Sequence, residues 1–143
     1  MKEGQPSVIY LKDYQVPDFL IDKTILRFEI HDDQTRVISQ LSMRRNPEAA
    51  SMTADLVLNG GPGLTTQAIS IDDRTLLNNE YRITDERLTL SGLPETFELK
   101  TEVCIRPQDN LALSGLYQSG GMFCTQCEAE GFRNITWYLD RPD

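Results

Sequence analysis

The stretch Thr24-Ile25-Leu26-Arg27-Phe28-Glu29-Ile30-His31-Asp32-Asp33-Gln34-Thr35-Arg36-Val37-Ile38-Ser39-Gln40-Leu41-Ser42-Met43 decides the fold of this chain. On its first limb Leu26, Phe28 and Ile30 alternate with Ile25, Arg27 and Glu29, so one face is apolar. A period of two marks a strand, because successive side chains leave an extended backbone on opposite sides. His31-Asp32-Asp33-Gln34 reads as a turn, since aspartate tolerates the backbone angles of a tight reversal. The second limb resumes the alternation, with Val37, Leu41 and Met43 on one parity and Arg36, Gln40 and Arg44 mainly on the other. Together the limbs predict an antiparallel hairpin.

Outward from that hairpin the same grammar repeats. Asn46-Pro47 breaks the run, Leu56-Val57-Leu58 is a short apolar strand, and Asn59-Gly60-Gly61-Pro62-Gly63 is a loop. Further strands are predicted at 68–71, 80–84, 87–90 and 97–105, parted by turns at Asp72-Asp73, Asp85-Glu86 and Gly92-Leu93-Pro94. The sequence shows no long amphipathic helix, no internal repeat and no low-complexity linker. The expected class is all-β, an antiparallel sandwich or saddle of short strands and hairpins.

Composition agrees with one globular domain over residues 1–143, large enough to bury a core without disulfides. Hydrophobic residues make up 39% and charged residues 25%, unlike a disordered chain. A formal net charge of -8 argues against a nucleic-acid surface. No apolar run is long enough to span a membrane. Met1-Lys2-Glu3-Gly4-Gln5-Pro6 lacks the apolar segment of a signal peptide, and three cysteines do not suit a secreted disulfide framework. The expected location is therefore the cytoplasm.

The chemistry concentrates near the end of the chain. Leu116-Tyr117-Gln118-Ser119 and Met122-Phe123-Cys124-Thr125 flank Gly120-Gly121, a pair suited to a two-residue hairpin turn. If the outgoing strand continues, Met122, Cys124, Gln126 and Glu128 share one face, with Gln126 and Glu128 roughly 6.5–7 Å apart. An amide oxygen and a carboxylate could then converge on one ammonium group, whose three donors need several acceptors. From the residues alone, a solvated strand face is the simpler account of the pair. Glu130 has the same parity, beside Gly131, which can end the extension.

Other candidates have plainer explanations. Cys124-Thr125-Gln126-Cys127 has the spacing of half a zinc ribbon or a redox pair, but Cys104 alone supplies no second half and no helix start lowers a thiol pKa. Buried, inert thiols are the simpler account. His31 fits a solvated turn, the Asn59 loop lacks the strand-to-helix setting of a phosphate loop, and Glu95, Glu98 and Glu102 fit a solvated face. Asn134-Ile135-Thr136 matches a glycosylation sequon but is expected within a strand.

The run Leu116-Tyr117-Gln118-Ser119-Gly120, then Cys124-Thr125-Gln126-Cys127-Glu128-Ala129-Glu130-Gly131-Phe132-Arg133, Ile135-Thr136 and Tyr138-Leu139-Asp140-Arg141-Pro142-Asp143 closely resembles the bacterial aminopeptidase N family. The likeness is specific over these last 28 residues and fainter from Asp13-Tyr14 to Pro17-Asp18-Phe19. The resemblance implies the N-terminal β domain of a zinc metallopeptidase that releases N-terminal residues from peptides. It implies that Gln126 and Glu128 hold the substrate's α-amino group. It also implies a His-Glu-x-x-His zinc site, a general base and an oxyanion-stabilising tyrosine elsewhere, since His31 is the only histidine here. The expectations are therefore no catalytic residue and no metal ligand in this chain, a truncated domain inert alone, and partners in the parent's remaining domains and the peptide N-terminus. Uncovered strand edges would promote self-association. The alternatives are a stand-alone β-sandwich interaction module, or a thiol module built on Cys124 and Cys127.

Overall fold

A computed structural model describes residues 7–143, so Met1 to Pro6, read above as lacking a signal peptide, fall outside the described residues. Strand accounts for 47% of the chain and no described helix reaches seven residues, which is the all-β class expected.

The hairpin that opens the chain consists of β1 (Phe19–Ile30) and β2 (Thr35–Arg45). Then come β3 (Leu56–Asn59), β4 (Thr65–Ile71), β5 (Arg74–Thr75), β6 (Tyr81–Thr84), β7 (Arg87–Leu90) and β8 (Thr96–Ile105). A final ribbon is made by β9 (Gly115–Ser119) and β10 (Met122–Gln126). One antiparallel sheet has the order β1-β2-β8-β4-β5, and a second has the order β3-β7-β6. Asp72-Asp73 and Asp85-Glu86 adopt positive φ at both residues, between 47° and 64°, which matches the right-handed twist of two-residue hairpins.

Register explains the core. Val37 pairs with Val103, Leu41 with Leu99 and Met43 with Phe97, so the central strands send a continuous apolar stripe to one face. Leu56 pairs with Leu90 and Leu58 with Leu88 in the second sheet, and all these side chains join one buried cluster with Ile135 and Trp137. The opposite face of the large sheet is polar and paired. Arg36 reaches Glu29 at 3.1 Å and Glu102 at 2.6 Å, while the Ser42 hydroxyl donates to Glu98 at 2.6 Å. The expected solvated acidic face is thus partly an ion-pair ladder.

Two expectations about β1 need correction. The strand starts at Phe19, and an irregularity between Ile21 and Lys23 switches its parity. Phe19 and Ile21 therefore join the core face by odd numbers, before Leu26, Phe28 and Ile30 join it by even ones. That later stretch is also incompletely covered. Phe28 is 36% and Ile30 49% exposed, because β1 is an edge strand and the small sheet does not reach its far end.

Candidate functional site

The β9–β10 ribbon pairs Met122 with Ser119 and Gln126 with Gly115, around Gly120 (φ 56°) and Gly121 (φ 79°). The predicted hairpin and its turn are present. The predicted continuation is not: β10 stops at Gln126, and Glu128 lies in a turn, so strand parity does not align the two side chains. Their proximity has a different origin. The Gln126 amide donates through Nε2 to the backbone carbonyl of Glu128 at 3.3 Å, leaving its own oxygen as an acceptor. The Gly131 N–H closes the turn by donating to the Cys127 carbonyl at 2.8 Å. A Cβ at Gly131 would lie 2.8 Å from Cys127 Cα and 2.9 Å from the Gln126 carbonyl oxygen, so glycine alone permits this closure. Gln126 and Glu128 are both exposed.

Behind the turn, Phe132–Asn134 is a short 3-10 helix, where the sequence predicts a strand around Asn134. The Asn134 amide donates to Ser114 Oγ at 3.0 Å and so ties the 3-10 turn to the base of β9. Arg133 is fixed more firmly. Its Nε donates to Asp140 Oδ2 at 2.9 Å, its backbone N–H donates to the same oxygen at 3.2 Å, and Nη2 donates to the Asp140 carbonyl at 3.2 Å.

The loop after β3, whose sequence reads as a simple turn, clamps this whole segment. Asn59 and Tyr138 exchange backbone hydrogen bonds at 2.8 and 3.0 Å, and the Gly61 N–H donates to the Arg133 carbonyl at 2.7 Å. Gly60 lies flat against the Trp137 ring, where a Cβ would come within 2.3 Å of a ring carbon. Periodicity cannot reveal such a contact. The only hint in the sequence is two adjacent glycines directly after a strand.

All three cysteines are free and half-buried, less covered than the buried thiols expected. Burial, with Asp140 nearby, pushes the Cys127 thiol upward, away from the thiolate that redox or metal chemistry needs. His31 sits in the β1–β2 turn with its N–H on the Gln34 carbonyl at 3.0 Å. Among the described residues no three His, Cys, Asp or Glu side chains are grouped to hold a metal ion. The residues present do not fit a zinc site.

A groove of about 720 Å³ is bordered by Tyr14, Glu130, Arg133 and Asp140, and neither Gln126 nor Glu128 lines it. The acceptor pair stands on an open surface instead. In water an exposed ion pair contributes no more than about 1 kcal/mol. A useful ammonium site here needs a second wall that excludes solvent.

No family model matches the chain. It is 48% identical to the aminopeptidase N of Caulobacter vibrioides across all 143 residues, which cover 16% of that protein. Its backbone superposes on aminopeptidase A of Legionella pneumophila, crystallised with aspartic acid, at a TM-score of 0.85 and 27% identity, over 93% of this chain and 16% of that one. An M1 zinc metallopeptidase from Deinococcus radiodurans, bound to a Tyr-Ser-Ala substrate, matches 87% of this chain and 30% of its own at 0.68 and 15% identity, a likeness of fold alone. Fold and relatives together define a β domain of the kind these aminopeptidases carry. The chain belongs to the aminopeptidase N family, as an N-terminal domain sequence that spans about 16% of the length of the curated relative.

Proposed function

We propose that this chain is the substrate-recognition domain of a zinc aminopeptidase and that Gln126 and Glu128 hold the free α-amino group of the peptide. The observation that carries this reading is the pair of exposed acceptors on a fixed turn, in a chain 48% identical to an aminopeptidase N throughout. A carboxylate and an amide oxygen suit an ammonium, and an anchor for the amine explains why such an enzyme counts from the N-terminus. Zinc and the groups that activate water would belong to the remaining domains, which would also supply the missing wall over Glu128. The isolated chain would then hydrolyse no aminoacyl substrate and retain no stoichiometric zinc. The same domains would cover Phe28 and Ile30, and the isolated chain would self-associate through that edge, a change light scattering reads across a concentration series. The enzyme would work in the cytoplasm, where fractionation of cells should find it.

The test is made on the zinc aminopeptidase that carries this domain. A charge-assisted hydrogen bond in a desolvated site contributes about 1.5–3 kcal/mol, roughly ten- to a hundredfold. Glu128→Ala should lower kcat/KM by at least about tenfold, Glu128→Gln should recover part, and Gln126→Ala should cost less. An N-acetylated substrate has no ammonium, so Glu128→Ala should narrow the preference for the free amine. An unchanged preference would remove Glu128 as the anchor.

A further inference from the structure

We infer that Arg133 and Asp140 form a positioning pair for the amine anchor, holding the turn at residues 127–131 so that Glu128 faces the substrate free of any protein cation. This rests on the reading of Glu128 as the anchor. Three observations carry it further.

The first is connectivity. The turn is joined to the body of the domain through Gly131 and the 3-10 helix Phe132–Asn134. Within that helix Arg133 is hydrogen-bonded at its backbone N–H and at two guanidinium nitrogens to Asp140. The Arg133 carbonyl is also pinned by the Gly61 N–H at 2.7 Å, so the residue is fixed from both sides. A shift of Arg133 therefore passes directly into the turn.

The second is burial. The Asp140 side chain is only 12% exposed and that of Arg133 25%, so their contact is shielded more than the other ion pairs near the turn. Shielded, multiply bonded pairs hold geometry, while exposed ones contribute little.

The third is charge. Arg133 also approaches Glu130 Oε2 at 3.6 Å. Occupied by Asp140 and Glu130, its guanidinium makes no ion pair with Glu128, and among the described residues no other cation does so. An anchor already neutralised by arginine would offer an ammonium little. If Asp140 lost its charge, the Arg133 guanidinium would lose its principal counter-charge and be free to seek another carboxylate. Asp140 thus acts both as a brace and as the principal counter-charge of Arg133.

The experiment uses the complete aminopeptidase and two matched competitive inhibitors, one with a free α-amine and one des-amino analogue. Asp140→Asn keeps the side-chain shape and removes the charge. It should weaken the amine-bearing inhibitor about tenfold while leaving the des-amino analogue and the zinc content unchanged, so that the ratio of the two Ki values falls. Arg133→Lys, which keeps the charge but not the forked contact, should lower the ratio less, and serves if Asp140→Asn fails to fold. In a Glu128→Ala background, Asp140→Asn should leave the ratio where Glu128→Ala set it. Equal weakening of both inhibitors, or a ratio unchanged from wild type, would overturn the positioning role. If Glu128→Ala itself leaves the ratio unchanged, the anchor reading fails and this inference falls with it. A ratio lowered by Glu128→Ala but not by Asp140→Asn defeats the positioning pair alone.

Discussion

The β1–β2 hairpin and the segment from Gly115 to Tyr138 both start as antiparallel ribbons, yet different forces hold them. The first is a ladder, paired from Phe19↔Arg45 to Ile30↔Thr35 with one irregularity, and β8 extends it on the other side of β2. Every residue there shares its load with neighbours. In the second, pairing stops at Gln126, and scattered contacts fix the chain beyond it: Gly131 to Cys127, Arg133 to Asp140, Gly61 to Arg133 and Asn59 to Tyr138. A lost side chain in the ladder removes volume from a core that keeps its outline. A lost contact in the irregular segment loosens a backbone that no ladder of strand pairs holds in place. Stability should therefore reside mostly in the first region, and selectivity in the second.

The largest expected effect tests the first half of that division. Leu99 is fully buried and pairs with Leu41 at the centre of the large sheet. Leu99→Ala should cost about 2–5 kcal/mol, from lost burial and the cavity left behind. Urea denaturation of the isolated chain reads the loss. In the complete enzyme the preference for a free amine should stay at its wild-type value, and a fall in that preference would show that core and anchor are not separable.

Gly60→Ala comes next, because it strikes the clamp between the two regions. The new methyl would collide with the Trp137 ring, which is buried and donates from Nε1 to Thr66 Oγ1 at 2.9 Å. The ring cannot swing aside without giving up that bond, so a destabilisation of about 1–3 kcal/mol is expected. Unlike Leu99→Ala, this substitution should also reduce amine selectivity, since Asn59 and Gly61 hold the segment that carries the turn. A loss of stability with selectivity intact would mean the clamp does not reach Glu128.

The same contrast governs what could be read from the residues. The alternation of Leu26, Phe28 and Ile30, and of Val37, Leu41 and Met43, was enough to place β1 and β2. Asp72-Asp73, Asp85-Glu86 and Gly120-Gly121 announced their turns, because few residue pairs accept two successive positive φ angles. The irregularity near Asp22 was hidden, since a shift of register leaves no residue type behind. So was the exposure of Phe28, which depends on how far the small sheet extends. At the candidate site the resemblance singles out Gln126 and Glu128, but it does not give their geometry. Period-two reasoning carries the strand through Glu128, whereas Gly131 and its contact with Cys127 end it. Gly60 reads as punctuation, and its constraint comes from Trp137, far along the chain. Local pattern records local structure, and this site is built from tertiary contacts.

The smallest effect probes whether the polar face of the ladder stabilises it as its core face does. The Arg36 guanidinium, donating to Glu29, holds that carboxyl below its ordinary value of 4.5, with Arg27 assisting. A carboxyl whose folded pKa is depressed contributes stability that is fully present above its unfolded pKa. That contribution fades as the pH falls below 4.5 and through the lower folded value. Glu29→Gln should therefore destabilise slightly at neutral pH and not at all in strong acid, flattening the dependence between. Its size is limited because Glu102, at 2.6 Å, keeps hold of Arg36 after Glu29 is neutralised. Molar salt should shrink the difference at neutral pH, as expected of charges near water. Chemical denaturation of both proteins across this acidic window supplies the measurement. If wild type and Glu29→Gln lose stability in parallel as the pH falls, the pair adds nothing to the ladder, and the stability of the first region comes from its apolar face alone.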